Sequence, residues 1–187
     1  MTTLRTIADI TSLFDKWGHD AYTERVSSLA HAVQCAELAE SAGSSSALVI
    51  AALLHDVGHL ADLESSDGAH EVDADLEHEA TGARMLASLF PPAVTGPVAL
   101  HVAAKRYLCA VDRAYADTLS ETSQRTLTLQ GGMMSPDEAR RFERLRHWNE
   151  AVSLRRWDDL AKDPENTHDL ATRFNRILDE HHGQISR

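Results

Sequence analysis

The chain has 187 residues, 43% of them hydrophobic and 25% charged, which is the balance of an ordinary folded, water-soluble protein and excludes a disordered or fibrous one. That length fits one domain, 1–187, able to bury about 70% of the surface its unfolded form exposes. Its 29 acidic against 18 basic side chains leave a formal charge of −11, which argues against nucleic acid as partner, because affinity for a phosphate backbone comes from clustered Lys and Arg.

Apolar positions recur three and four residues apart through most of the chain, and period-two alternation is scarce, so the predicted fold is all-α, a single helical bundle. The first predicted helix covers 4–17; its opening, MTTLRTIADI, lacks the uninterrupted apolar core of a signal peptide. A second helix over 21–41 places Val26, Leu29, Val33 and Ala36 on one face and His31 in its middle, and Gly43-Ser44-Ser45-Ser46 ends it. The third, over 46–57, contains the apolar run of residues 47–54 and closes on His55-Asp56, followed by Val57-Gly58-His59. That run is far shorter than the roughly 20 residues needed to cross a bilayer, so no membrane contact and a cytoplasmic location are expected.

Residues 61–75, rich in Asp, Glu, Ser and Gly, read as irregular. A helix over 76–89 carries His78, Pro91-Pro92 interrupts, and a helix over 93–107 carries His101 and Lys105. Residues 112–134 again read as irregular; long loops in a compact domain tend to wall or cover a site. The next helix, 135–146, opens on Ser135-Pro136-Asp137-Glu138, an N-cap followed by Pro at the first helical position and acids in the first turn. Helices over 148–161, which carries Arg155 and Asp158, and 168–181 complete the chain. Cys35 and Cys109 show no Cys-x-x-Cys spacing and read as reduced packing residues. His19, His70, His147, His168, His181 and His182 sit in polar or terminal contexts and read as solvated.

An apolar helix that delivers an adjacent imidazole and carboxylate to its buried end needs a compensating charge, and a metal ion supplies it. A lone His on a helix is usually packed or solvated. His31, His55, Asp56, His78, His101 and Asp158, however, come from different helices and can converge inside a bundle as a dinuclear site. Six donors exceed one tetrahedral site, and a carboxylate such as Asp56 can bridge two ions; the donors suit iron, manganese, cobalt or zinc. Helical spacing adds polar companions on the same faces. Glu24 is seven before His31, His59 four after His55, Lys105 four after His101, and Arg155 three before Asp158.

The chain resembles the HD-domain mixed-valence diiron oxygenases, the branch that includes myo-inositol oxygenase and, more closely, oxygenases cleaving the carbon–phosphorus bond of 1-hydroxyphosphonates. The resemblance runs from about Glu24 to Lys162 and is carried by Glu24-Arg-Val-Ser-Ser-Leu-Ala-His31, Leu54-His-Asp-Val-Gly-His59, Glu77-His78-Glu79, His101-Val-Ala-Ala-Lys105, Leu119-Ser-Glu-Thr-Ser123, Leu129-Gln-Gly-Gly132 and Leu154-Arg-Arg-Trp-Asp158-Asp-Leu-Ala-Lys162. It implies two irons, Fe(II)/Fe(III), held by His31, His55, Asp56 as bridge, His78, His101 and Asp158. Asp159 is the rival for the last place, and Asp158 is preferred because the family's ligand lies four residues before a Lys, here Lys162.

The resemblance further implies a catalytic and substrate shell of His59, Lys105 and Arg155, with Ser123 and Gln130 around a phosphonate and Glu24 facing an amine. Related enzymes carry a gating Tyr three residues before this Glu; here Ala21 has that place and Tyr22 is one residue nearer, so gating and simple packing both remain open for Tyr22. The implied reaction consumes dioxygen and a 1-hydroxy-2-aminoethylphosphonate-type organophosphonate, N-methylated or not, and yields glycine or an N-methylated glycine with inorganic phosphate. The alternative reading is an HD-type metal-dependent phosphohydrolase acting on a small phosphate ester or nucleotide. A non-enzymatic metal-binding module is a third.

Overall fold

The structure, a computed structural model, describes residues 4–19, 26–68 and 77–185. Among these the chain forms eleven α-helices and no strand: α1 (Ile7–Trp17), α2 (Ser28–Ser41), α3 (Ser46–Leu54), α4 (Val57–Ser65), α5 (His78–Leu86), α6 (Pro92–Val111), α7 (Arg113–Thr118), α8 (Glu121–Leu129), α9 (Pro136–Phe142), α10 (Trp148–Leu160) and α11 (Leu170–Ile185). Side-chain oxygens mark many of the starts. Ser27, Ser45, Asp112, Ser120 and Ser135 each accept a hydrogen bond from the backbone two or three residues into the helix that follows. Each such cap is worth about 1 kcal/mol. Ser135 is the N-cap that the Ser-Pro-Asp-Glu opening predicts, and with Glu138 it completes a reciprocal capping box.

Helix α3 is the axis of the molecule. Its residues from Leu48 to Leu54 are all buried, and α2, α6, α10 and α11 pack around it. A helix apolar on every side has no other stable location in water than such a core. Ser46–Ser65, with mean hydropathy 1.4, passes a length-and-composition test for a membrane span, but the chain breaks between α3 and α4 and 67% of that stretch is buried in the bundle. A second cluster, built from Tyr107, Leu108, Tyr115, Leu119, Phe142 and Ala151, fastens α7 and α9 to α6 and α10. Cys35 and Cys109 are free and buried, packing as expected.

Three differences from the sequence reading matter. The predicted 46–57 helix ends at Leu54, because the chain turns at His55-Asp56 and restarts as α4, which runs to Ser65 through the start of the predicted 61–75 loop. The 112–134 segment holds α7 and α8 instead of irregular chain; their caps, Asp112 and Ser120, were legible, but helices this short and rich in Thr and Ser show little apolar periodicity. His147 and His181 are largely covered instead of solvated: the His147 ring lies where a side chain at Gly96 would sit, and His181 bonds Glu40 and Ser46.

Candidate metal centre

The break at His55-Asp56 is what builds the site. His55 is the residue after α3 and Asp56 the residue before α4, so the turn presents both side chains at the end of the buried axis. Helix α2 brings His31, α5 brings His78 from its first position, α6 brings His101 and α10 brings Asp158. All four histidines are at most 6% exposed and Asp158 is 2% exposed, so none of these donors is a surface group.

Their order around Asp56 is specific. Asp56 Oδ2 faces His55 Nε2 at 3.3 Å and His31 Nε2 at 3.7 Å, with Asp158 Oδ1 3.4 Å from His31 Nε2. Asp56 Oδ1 faces His78 Nε2 at 3.5 Å and His101 Nε2 at 3.6 Å. Within each pair the imidazole nitrogens also meet, His31 to His55 at 3.3 Å and His78 to His101 at 3.1 Å. The donors thus fall into two groups that could each hold an ion, His31/His55/Asp56 and Asp56/His78/His101, sharing one carboxylate.

Backbone contacts orient the rings. Nδ1 of His31, His55 and His101 lies 2.8, 2.9 and 2.8 Å from the carbonyls of Ala161, Ala52 and Val98, and can only donate there. A neutral ring fixed in this way turns its Nε2 lone pair inward, the tautomer that binds metal. Lone pairs and carboxylate oxygens packed at these distances repel one another unless a cation lies among them. Asp56 Oδ2 is buried and accepts no hydrogen bond of ordinary geometry. The electrostatics agree. Burial disfavours the His55 cation, yet Asp56 and Asp158 raise its pKa to about 9. Burial also opposes ionisation of Asp56 and Asp158, but His55 holds the first and Arg155 the second well below the usual carboxylate range. His101 is pushed down by burial and by the charges of His78 and His55. The cluster therefore draws in positive charge, and imidazole with carboxylate in the absence of thiolate fits a dinuclear site for a first-row metal.

A close helix crossing sets the spacing of the two halves. A Cβ built on Gly58 would lie 2.1 Å from the His78 carbonyl oxygen, and one on Gly82 would lie 3.2 Å from Val57 Cγ1. The two glycines let α4 and α5 approach closely enough for His78 to reach Asp56.

Around this cluster the predicted companions are placed as follows. His59 stacks on His78, ring centroids 4.0 Å apart, with its Nε2 3.9 Å from Asp56 Oδ1. Lys105 is buried and its Nζ donates to Thr126 Oγ1 at 2.8 Å; burial and the nearby Arg155 charge lower its pKa to about 8. Arg155 is buried too, and it is ion-paired to both Asp158 and Asp159. Ser123 is buried one turn into α8, its hydroxyl 3.1 Å from that of Ser120. Gln130 lines a cavity of about 260 Å³ with Glu79, Val102, Ala103, Arg106 and Leu129, and its Oε1 is buried without a hydrogen-bond partner. Tyr22 and Glu24 lie outside the described residues. Asp159 points to Arg155 and Tyr115, while Asp158 points to His31. Thr126, Tyr115 and Gly58 were not singled out from sequence; a hydroxyl three residues after Ser123 and the Gly inside Val57-Gly58-His59 were the available signals.

These features define an all-helical protein with a two-part His/carboxylate metal site at the end of its buried axis. Residues 28–120 match the family model described as HD domain. Over 156 residues, 82% of this chain and 78% of the relative, the chain is 46% identical to the hydroxymethylphosphonate dioxygenase of Gimesia maris. It is 37% identical over 182 residues to the [1-hydroxy-2-(trimethylamino)ethyl]phosphonate dioxygenase (glycine-betaine-forming) of Leisingera caerulea, covering 93% of this chain and 91% of that one. An uncharacterized protein of Acanthamoeba polyphaga mimivirus is 31% identical over 161 residues, 85% of this chain and 74% of its own. The chain belongs to the HD-domain phosphonate oxygenase family, and its activity class is that of an oxygenase. The HD-domain match ends before α10 and does not reach Asp158, which the fold places beside His31.

Proposed function

We propose that this protein is a cytoplasmic, iron-dependent dioxygenase that cleaves the carbon–phosphorus bond of a 1-hydroxy-2-aminoethylphosphonate-type substrate, giving glycine or an N-methylated glycine and inorganic phosphate. The observation that carries the reading is Asp56, whose two oxygens each face a separate histidine pair. His31, His55 and Asp158 would hold one ion, His78 and His101 the other, with Asp56 between. Two irons, Fe(II) and Fe(III), would supply dioxygen activation and a Lewis-acid grip on the C1 hydroxyl. The names of the Gimesia and Leisingera relatives support the substrate class.

The contribution of the side chains is placement and charge compensation. Lys105 Nζ and the N–H groups of Arg155 lie buried near Asp158, where each hydrogen bond to a phosphonate oxygen is stronger than in water. His59, at the partly exposed rim beside Asp56, and the Ser123 hydroxyl complete the anion shell, while Gln130 lines a cavity with Glu79 and Arg106. Glu24 would receive the amine. No side chain is assigned as a general base, because holding the C1–H bond in place is the main demand.

The 46% identical relative favours a second reading, hydroxymethylphosphonate as substrate, with formate in place of the amino acid. Dioxygen uptake and phosphate release against a panel of 1-hydroxyphosphonates separate the two by which substrate is turned over. Equimolar oxygen consumption and phosphate release is the expected result; phosphate released from a monoester under anaerobic conditions would establish the hydrolase instead.

Lys105→Ala is expected to retain its metal and raise KM for the phosphonate by about ten- to a hundredfold, the value of a hydrogen bond to a charged group. The protonated amine is the binding form. KM should therefore be low and flat below pH about 8 and climb above it as Lys105 loses its proton. Lys105→Arg, which keeps its charge, should flatten that rise, and a wild-type KM constant from pH 7 to 10 would rule out the assignment.

A further inference from the structure

Asp159 is the acid that sequence alone leaves as a rival metal ligand, and the fold gives it different work. Arg155 Nε donates to Asp159 Oδ2 at 3.0 Å and Nη2 donates to Asp159 Oδ1, a side-on fork of two parallel bonds. Tyr115 Oη accepts from the same Nε at 3.2 Å and donates to Asp159 Oδ2 at 2.5 Å, closing the triangle. The remaining protein contact of the guanidinium among the described residues is Nη1 to Asp158 Oδ2 at 2.7 Å, while Asp158 Oδ1 stays on His31. Lys162 Nζ lies 3.8 Å from Asp159 Oδ1 and shares its charge.

We propose that Asp159 and Tyr115 are positioning residues that lock the Arg155 guanidinium so that it binds the phosphonate while touching only one oxygen of Asp158. An arginine carries five N–H donors, and these contacts use three of them, leaving one on each terminal nitrogen for an anion. Without Asp159 the free fork would fold onto the other available carboxylate, Asp158, in the bidentate geometry that arginine prefers. That rotation would withdraw both remaining donors from the substrate. Tyr115 blocks it from the third side: its hydroxyl sits on the Nε–H edge, and its ring is buried in the cluster that fastens α7 to α6 and α10. The proposal rests on the phosphonate reading for its substrate and on the observed contacts for the lock.

The test uses the metal-loaded full chain. Asp159→Asn should raise KM for the 1-hydroxyphosphonate about tenfold and leave kcat within about threefold, with metal content equal to wild type. Tyr115→Phe, which removes one oxygen and keeps the packing, should raise KM about threefold and stands as the second variant if Asp159→Asn fails to fold. Binding of inorganic phosphate to wild type and variants, measured by calorimetry, should weaken by the same factors. Phosphate affinity that falls in the variants while wild type turns over no phosphonate would sink the substrate reading and leave the lock standing. Unchanged KM and phosphate affinity in both variants would overturn the lock.

Discussion

Replacing Gly58 by alanine is expected to disable the metal centre without touching any donor. The added methyl would sit 2.1 Å from the His78 carbonyl oxygen, inside van der Waals contact with backbone that no rotamer change can move. Helices α4 and α5 would have to separate, and His78, at the first position of α5, would move away from Asp56, now 3.5 Å distant, and from its partner His101, 3.1 Å distant. Overpacking a site that cannot relax costs about 1–3 kcal/mol, and backbone contact puts this case at the upper end. At this chain length that is a fall in Tm of roughly 6–12 °C. Metal analysis should show the half of the site held by His78 and His101 depleted first. Wild-type metal content and Tm in Gly58→Ala would show that the crossing is looser than the described contact.

Asp56→Ala should have the largest effect of any single substitution. Because its two oxygens serve both histidine pairs, its loss leaves one half with only the imidazoles of His78 and His101, the other with His31, His55 and the Asp158 carboxylate, and removes the charge that the two sites share. Taking one partner from a buried charge pair costs about 3–5 kcal/mol, which is a loss of metal affinity of roughly a hundred- to a few thousandfold for each half. Both metal content and oxygen uptake should fall to background while the helical circular dichroism persists, since α3 and the core beside it are apolar and independent of the carboxylate. His31→Ala and His78→Ala, in contrast, should each deplete one half preferentially. Retention of one full equivalent of metal by Asp56→Ala would contradict the bridging role.

The contrast between these two residues shows how far sequence reasoning reaches. Asp56 is legible in the linear chain because its signal is local: an ionisable pair at the end of residues 47–54, where burial of charge without compensation is prohibitive. Gly58 lies two positions further on, and its presence in Val57-Gly58-His59 does not say what it does, because its function is an absence of atoms facing a helix twenty residues away. Asp158 and Asp159 make the same point as neighbours. The resemblance prefers Asp158 by its spacing from Lys162, but composition treats the two alike; the rotation of α10 against α2 and α7 is what sends one to His31 and the other to Arg155 and Tyr115. Arg155 reads from its spacing as a polar companion of Asp158, and the fold shows it balanced by two carboxylates, Asp158 and Asp159.

The amino-acid sequence by itself determined the helical class, the buried axis and the donor types, because apolar periodicity and the high energy of unpaired buried charge act over a few residues. The tertiary structure alone decided that α3 stops at Leu54, that the donors divide into two groups about one carboxylate, and that Arg155 is held by Asp159 and Tyr115. Those features depend on distances of 3–4 Å between segments up to 130 residues apart, as between His31 and Ala161, and helix packing fixes such distances only when the whole core closes.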